Sequence, residues 1–213
     1  MPLLSSCEFA SLAQYAVRGT SKASQDSKEV SSRIKRAVPT ILGGVVKVLA
    51  ELRAAGNEVG CMFGPEVVVV SVPGHGVRSV GALSVPEEIC RYLVEGGLAG
   101  GVLRCLDRTR AVQKSATARQ GARPGADEHY VTIALNGLAL ANASRLLLVD
   151  DGVTSGATLL ACVSMLRDAF PRHAIGAFAV MRAISNGEVT ATRHPCTGTI
   201  VLDDLSRLTT RRP

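Results

Sequence analysis

Aromatic residues and long apolar runs are scarce in this chain. Of its 213 residues only 3% are Phe, Trp or Tyr, and Trp does not occur, so platforms on which the bases of single-stranded nucleic acid could stack are few. No apolar run approaches the roughly 20 residues that span a bilayer. The first residues also lack the basic start and apolar core of a secretory signal. We therefore expect a cytoplasmic protein with no membrane segment.

Closely spaced cysteines are also missing. The six cysteines are far apart and no C-x-x-C pair occurs, which argues against a zinc knuckle. An α/β domain of this length has no need of disulfides. The cysteines therefore predict free thiols in a reducing compartment.

The charge balance is basic. The net charge is +6 and the sequence pI is about 9.2. Such a balance is compatible with a nucleic-acid partner and equally with a highly phosphorylated small molecule. A nucleic-acid contact would use the basic residues near the N-terminus, which are Lys22, Lys28, Arg33, Lys35 and Arg36.

What the chain does contain is an alternation of apolar runs and segments of helical spacing. Helices are predicted from near Pro39 to Ala55, from Ser84 to about Glu95, and from about Thr158 to Ala169. Strands are predicted at Glu66–Val72, Val102–Leu106, Tyr130–Leu135, Arg145–Asp150, Ala174–Met181 and Thr199–Leu202. The alternation predicts an α/β fold with a doubly wound, mostly parallel sheet flanked by helices.

Two segments do not follow this alternation. Residues 18–36 are rich in Ser and Lys and predict a loop or mobile arm. Residues 107–129 are polar, basic and too long for a routine connection. We therefore expect a partly mobile N-terminal segment, residues 1–36, and an α/β domain, residues 37–213, with a flexible loop at about 107–129.

The stretch at 146–158, Leu-Leu-Leu-Val-Asp-Asp-Gly-Val-Thr-Ser-Gly-Ala-Thr, is the most informative part of the chain. Its apolar run predicts a buried parallel strand, and Asp150 and Asp151 follow at the carboxyl end, where ligands of open α/β sheets bind. The Gly/Ser/Thr turn before the next helix offers free N–H groups to a phosphate. The carboxylates can accept hydrogen bonds from a diol such as ribose, or hold Mg²⁺. An ordinary helix cap is the alternative, although a cap needs only one such side chain. The stretch thus predicts a sugar-phosphate site.

This stretch resembles the phosphoribosyl pyrophosphate (PRPP) motif of type I phosphoribosyltransferases: four hydrophobic residues, two acidic residues and a small Thr/Ser-Gly-x-Thr loop. The resemblance covers approximately residues 66–182 and implies a type I phosphoribosyltransferase-like fold and a homodimer. It also implies that Asp150 and Asp151 hold the ribose of PRPP, or of another ribose-5-phosphate ligand, and contact Mg²⁺ weakly. The implied cradle for the 5′-phosphate consists of Thr154, Ser155, Gly156, Ala157 and Thr158.

The loop after the first predicted strand of the domain is a second candidate phosphate site. Glycines on both sides of His75 allow unusual backbone angles and a close approach of a ligand, and Arg78 could fork onto phosphate oxygens. A plain connecting loop with a solvated Arg is the alternative. In the resembled family the loop at this place binds the pyrophosphate of PRPP, which implies that role for Pro73, Gly74, His75, Gly76 and Arg78.

The basic residues 108–119 stand where these transferases carry a flexible catalytic loop. By this resemblance Arg110 and Lys114 would be catalytic, because closure would bring cations onto the departing pyrophosphate and exclude water. The order Arg-x-Arg-x-x-Gln also resembles the ComF-type branch. That branch often carries a cysteine-rich zinc finger, which this sequence lacks.

The resemblance implies transfer of a phosphoribosyl group to a nitrogenous acceptor, with release of pyrophosphate and dependence on Mg²⁺. Hypoxanthine/guanine transferases carry an Asp in the phosphate loop that can accept a proton from the base. Thr154 stands at that position and cannot do so, which disfavours a 6-oxopurine acceptor. Two alternatives stay open, a non-catalytic PRPP-sensing regulator and a ComF-like accessory of DNA uptake.

Overall fold

The computed structural model describes residues 3–79, 81–113, 124–137, 144–185 and 187–212. The strands in these ranges are β1 (Ser6–Ala16), β2 (Gly64–Ser71), β3 (Ala99–Leu103), β4 (Leu106–Arg108), β5 (Ile133–Leu135), β6 (Arg145–Val153), β7 (Ala174–Ile184), β8 (Arg193–Leu202) and β9 (Thr209–Arg212). The helices are α1 (Lys22–Lys35), α2 (Pro39–Ala54), α3 (Val85–Glu95), α4 (Ala126–Val131) and α5 (Ala157–Ala169), with a 3-10 turn at Gly60–Met62. None of these helices is both long and apolar enough to cross a bilayer.

Seven strands form one mostly parallel sheet in the order β3-β2-β6-β7-β1-β8-β9. The first five of these strands are parallel to one another, β8 pairs antiparallel with β1, and β9 pairs antiparallel with β8. Strands β4 and β5 pair separately as a small antiparallel ribbon. The predicted fold class, a mostly parallel sheet flanked by helices, is confirmed.

Strand β6 lies inside the sheet and has a hydrophobic core on each face. Leu146 and Leu148 belong to the core formed with α5, and Leu147 and Val149 to the core formed with α1, α2 and α3. All four side chains are at most 2% exposed, and each contributes about 1.5–3 kcal/mol by burial. A strand that is covered on both faces must be apolar at every position. The run therefore ends where β6 leaves the two cores, at Asp150.

The prediction of a loop or mobile arm at residues 18–36 is wrong, because α1 occupies most of this segment. The side chains that α1 buries are spaced three or four residues apart, as in any packed helix, but most are serines: Ser24, Ser27, Ser31 and Ile34. A search for apolar spacing does not recognise such a face. Strand β1 also pairs with β7 and β8, so residues 6–16 are part of the same sheet as residues after 37.

Two other predicted elements differ in the structure. The strand predicted at Tyr130–Leu135 is the end of helix α4 followed by β5, and the strand predicted at Val102–Leu106 is divided between β3 and β4. Short apolar runs do not distinguish strand from helix. In this region Thr132 ends α4 by donating its hydroxyl hydrogen to the Glu128 carbonyl at 2.6 Å.

Candidate functional site

The two carboxylates lie at the carboxyl end of β6. Asp150 is in register with Ala179 of β7, and the Asp151 N–H donates to Asp150 Oδ1 at 2.8 Å. Desolvation and the negative charge of Asp151 raise the pKa of Asp150 well above its ordinary value. The acidic pair is therefore unfavourable in isolation, and hydrogen-bond donors or a cation would stabilise it.

The predicted phosphate loop has a backbone that only glycine fits. Gly156 has φ 91°, and a Cβ atom there would lie 2.5 Å from Ile200 Cδ1. Gly156 precedes α5, whose start has no side-chain cap among the residues described. The first N–H groups of a helix have no intrahelical partner, so those of α5 can bind an anion. Thr154, Ser155 and Thr158 are half-buried around this point.

Two cavities share the acidic pair. One of about 150 Å³ is lined by residues 152–159, and one of about 460 Å³ is lined by residues 71–79 and by Arg108. Asp150 and Asp151 line both. The structure thus places both predicted phosphate loops next to one pair of carboxylates. A third cavity, of about 650 Å³, lies away from the acidic pair at the opposite end of the strands, where β6 and β7 begin.

All the residues predicted in the second loop line the larger of the two cavities, namely Pro73, Gly74, His75, Gly76 and Arg78. The expected unusual backbone angles are not found, because neither glycine has a positive φ. A Cβ atom on either glycine would meet no atom within 4 Å, so the loop borders open space. The Arg78 guanidinium forks onto Glu87 at the start of α3, with 2.9 Å between Nη2 and Oε2.

Of the two predicted catalytic residues, only Arg110 is among the described residues, and it lines neither of the two cavities. Arg110 is exposed, while Asp107 and Arg108 of the same segment line the larger cavity. Lys114 lies outside the described residues. The catalytic roles of Arg110 and Lys114 stay predictions.

Arg108 is a central residue that sequence reasoning missed. Its side chain is buried, with 4% exposure. It donates from Nε to the Gly74 carbonyl at 3.0 Å, from Nη1 to Thr132 Oγ1 at 2.7 Å, and from Nη2 to His129 Nδ1 at 3.2 Å. Burial lowers the pKa of Arg108 from its ordinary value. One buried cation therefore ties the second phosphate loop to helix α4.

His129 extends this network to the first phosphate loop. Its side chain is 3% exposed, and its Nε2 lies 3.2 Å from Thr158 Oγ1. Burial and the charge of Arg108 lower the pKa of His129 to about 4. Its two partners are 21 and 29 residues away along the chain, so no local pattern could reveal them.

Lys35, which the sequence offers as a possible nucleic-acid contact, lies near the acidic pair. It lines both cavities beside the acidic pair, and its Nζ lies 5.5 Å from the centroid of the Tyr15 ring. Lys22 pairs with Asp26 at 3.4 Å, and Lys28 donates to the Gly19 carbonyl at 2.6 Å. Lys22, Lys28 and Lys35 therefore have different immediate partners, and the nucleic-acid contact stays a prediction.

The acidic pair could contact a metal ion. Among the residues described, no group of three or more His, Cys, Asp or Glu could surround a metal. Mg²⁺ usually keeps several waters and is bound by one or two carboxylates together with substrate oxygens. Asp150 and Asp151 fit that kind of ion.

No protein-family model matches the chain, and a search of curated proteins finds no match. Among solved structures, the chain is similar to hypoxanthine phosphoribosyltransferases. One of them has glutamine at an invariant aspartic acid, with 14% identity over 75% of this chain and 79% of that chain and a TM-score of 0.32. Another is from Trypanosoma cruzi, with 14% identity over 76% of each chain and a TM-score of 0.32. A TM-score this low supports no argument about the site, and these matches do not bear on the ComF-type resemblance.

Proposed function

We propose that the chain binds PRPP with Mg²⁺ at the carboxyl edge of its sheet, and that it transfers the phosphoribosyl group to a nitrogenous acceptor. The observation that carries this proposal is the acidic pair between two cavities. PRPP contains a 5′-phosphate, a ribose and a pyrophosphate in that order. The carboxylates of Asp150 and Asp151 line both the smaller and the larger cavity, which suits a ribose that carries a phosphate group on each side.

Each part of the site suits the group it would bind. Asp150 and Asp151 can accept hydrogen bonds from the ribose 2′- and 3′-hydroxyls. The N–H groups at the start of α5 suit the 5′-phosphate. The second loop borders open space for the pyrophosphate, and Arg78 could share its guanidinium between that group and Glu87.

The reaction exchanges one bond at ribose C1 for another. The bond to a pyrophosphate oxygen breaks while a bond to the acceptor nitrogen forms, and pyrophosphate leaves with the electron pair. Positive charge then develops on the ribose beside Asp150 and Asp151, which favours the transition state. Holding both reactants in line supplies much of the remaining acceleration. Mg²⁺, when bound, would neutralise charge on the pyrophosphate oxygens.

The acceptor stays open. Thr154 is half-buried in the smaller cavity and has no carboxylate with which to take a proton from the acceptor. A 6-oxopurine is therefore disfavoured as acceptor, in agreement with the sequence interpretation.

Calorimetric titration with PRPP and Mg²⁺ tests the binding step. Asp150→Asn and Asp151→Asn each remove charged acceptors worth about 1.5–3 kcal/mol, which weakens PRPP roughly 10- to 150-fold in Kd. Asp26→Asn is the matched control, because Asp26 lies on the surface of α1 and pairs only with the exposed Lys22 in the described structure. Failure of the wild type to bind, or equal affinity in all three variants, contradicts the proposal.

Release of pyrophosphate across a panel of nitrogenous acceptors tests the transfer step. The proposal expects release with at least one acceptor, and the release should be lost in Asp150→Asn. Tight binding of PRPP without release for any acceptor would instead identify a PRPP sensor.

A further inference from the structure

We propose that Arg108 and His129 are positioning residues that orient the Thr158 hydroxyl, so that its hydrogen is presented to a phosphate oxygen in the smaller cavity. This inference rests on the proposed function for the identity of the phosphate. It adds two residues, from outside both loops, that determine how the first loop binds.

The donor and acceptor roles follow from chemistry alone. A guanidinium donates hydrogen bonds and accepts none, so His129 Nδ1 must accept from Arg108 Nη2, which lies 3.2 Å away. A neutral imidazole carries its single hydrogen on the other nitrogen when Nδ1 accepts. His129 Nε2 is therefore the donor in the 3.2 Å contact with Thr158 Oγ1.

The protonated imidazole does not compete with this arrangement. An imidazolium would direct an N–H group from Nδ1 at the guanidinium of Arg108, which repels it. In agreement, burial and the charge of Arg108 lower the pKa of His129 to about 4. His129 is therefore neutral at pH 7.

Arg108 is itself held in place, which makes the tautomer of His129 a property of the fold. Its Nε–H donates to the Gly74 carbonyl, and its Nη1 donates to Thr132 Oγ1. The Thr132 hydroxyl in turn donates to the Glu128 carbonyl, so it can only accept from Arg108. Each hydrogen bond from Arg108 through His129 to Thr158 therefore has a fixed donor and a fixed acceptor.

The fixed tautomer of His129 determines where the hydroxyl hydrogen of Thr158 points. A hydroxyl has one hydrogen to donate and two lone pairs that accept. Because His129 occupies a lone pair, the Thr158 hydrogen is directed elsewhere, and Thr158 lines the smaller cavity with residues 154–157. A phosphate oxygen can only accept, so the network prepares the loop for an anion before the anion arrives.

The tautomer is tested on the free protein, with no ligand. Long-range ¹H–¹⁵N correlation of the imidazoles at pH 7 should show His129 neutral with its hydrogen on Nε2. A hydrogen on Nδ1, or an imidazolium at pH 7, overturns the inference whether or not PRPP binds.

The role at the phosphate is tested with ribose 5-phosphate and, separately, with pyrophosphate. Thr158→Val removes the hydroxyl and should weaken ribose 5-phosphate roughly 10-fold. In His129→Asn the amide oxygen can still accept from Arg108, but the side chain is too short to reach Thr158. We expect it to weaken ribose 5-phosphate several-fold and to leave pyrophosphate affinity unchanged.

A double-mutant cycle separates positioning from general damage to the fold. The variant with both changes should bind ribose 5-phosphate no more weakly than Thr158→Val alone, because His129 acts through that hydroxyl. His173→Asn, beyond the far end of α5, is the control and should bind as the wild type does. Wild-type affinity in His129→Asn, or fully additive effects, overturns the inference while leaving the proposed function intact. Failure of the wild type to bind ribose 5-phosphate, with the tautomer as expected, counts against the proposed function.

Discussion

Replacement of Gly156 by alanine is the most direct test of the phosphate-loop geometry. The residue has φ 91°, and left-handed backbone costs a residue with a side chain roughly 1–2 kcal/mol. The new methyl group would also lie 2.5 Å from Ile200 Cδ1 and 2.6 Å from Cγ1. Ile200 is fully buried in β8 and has little room to move, so overpacking adds about 1–3 kcal/mol. We expect Gly156→Ala to lower the free energy of unfolding by about 2–5 kcal/mol.

Urea denaturation followed by circular dichroism measures this loss. Gly152→Ala is the matched control in the same stretch, because its Cβ would have its nearest neighbour, Met181 O, at an ordinary 3.6 Å. In an Ile200→Ala background the steric part should vanish, so the loss caused by Gly156→Ala should fall to the backbone part of roughly 1–2 kcal/mol. A Gly156→Ala variant as stable as the wild type, or a loss unaffected by Ile200→Ala, would refute the reasoning.

Three further predictions concern charged and titratable groups. The pKa of His129 is about 4 in the folded protein against an ordinary 6.5, so the unfolded chain binds the proton at a higher pH than the folded protein does. The free energy of unfolding should therefore fall by up to roughly 3 kcal/mol as the pH drops from 6.5 to 4. His129→Gln should remove this pH dependence in urea titrations. Hydrogen bonds from Ser24, Thr20 and Ser21 lower the pKa of Glu188 to about 2 from 4.5. The stability they contribute should be present above pH 4.5 and lost as pH falls towards 2, and an unchanged acid slope in Glu188→Gln would contradict this. Because the pKa of Asp150 is raised by desolvation and by Asp151, Asp150→Asn should raise the free energy of unfolding at pH 7 by on the order of 1 kcal/mol, while PRPP affinity falls. A variant that is both less stable and unchanged in affinity would argue against a functional carboxylate.

The stretch at 146–158 carried most of the predictable information about the site. Its strand, its acidic pair and the turn into α5 involve consecutive residues, so backbone geometry alone sets their relative positions. The apolar run must be continuous because both faces of β6 are covered. The mostly parallel fold could likewise be predicted, because strands covered by helices on both faces appear in the sequence as apolar runs that alternate with segments of helical spacing.

The errors also have physical causes. Helix α1 was not recognised because its buried face consists largely of serines, whose packing depends on hydrogen bonds rather than on hydropathy. One of these serines, Ser27, accepts from the Ala16 N–H at the end of β1, a contact that a pattern of apolar residues does not encode. The position of β1 within the sheet likewise depends on pairing with strands near the other end of the chain.

The chemistry of the acidic pair and its phosphate loop could therefore be predicted from thirteen consecutive residues, because neighbours in the chain are neighbours in space. The surroundings of that pair were decided by the tertiary structure alone. Lys35 belongs to α1, Arg108 to β4 and His129 to α4. Burial then changes what these side chains can do. An arginine in an exposed basic loop would be solvated, whereas burial together with the charge of Arg108 lowers the pKa of His129, and the Arg108 N–H group gives His129 one tautomer.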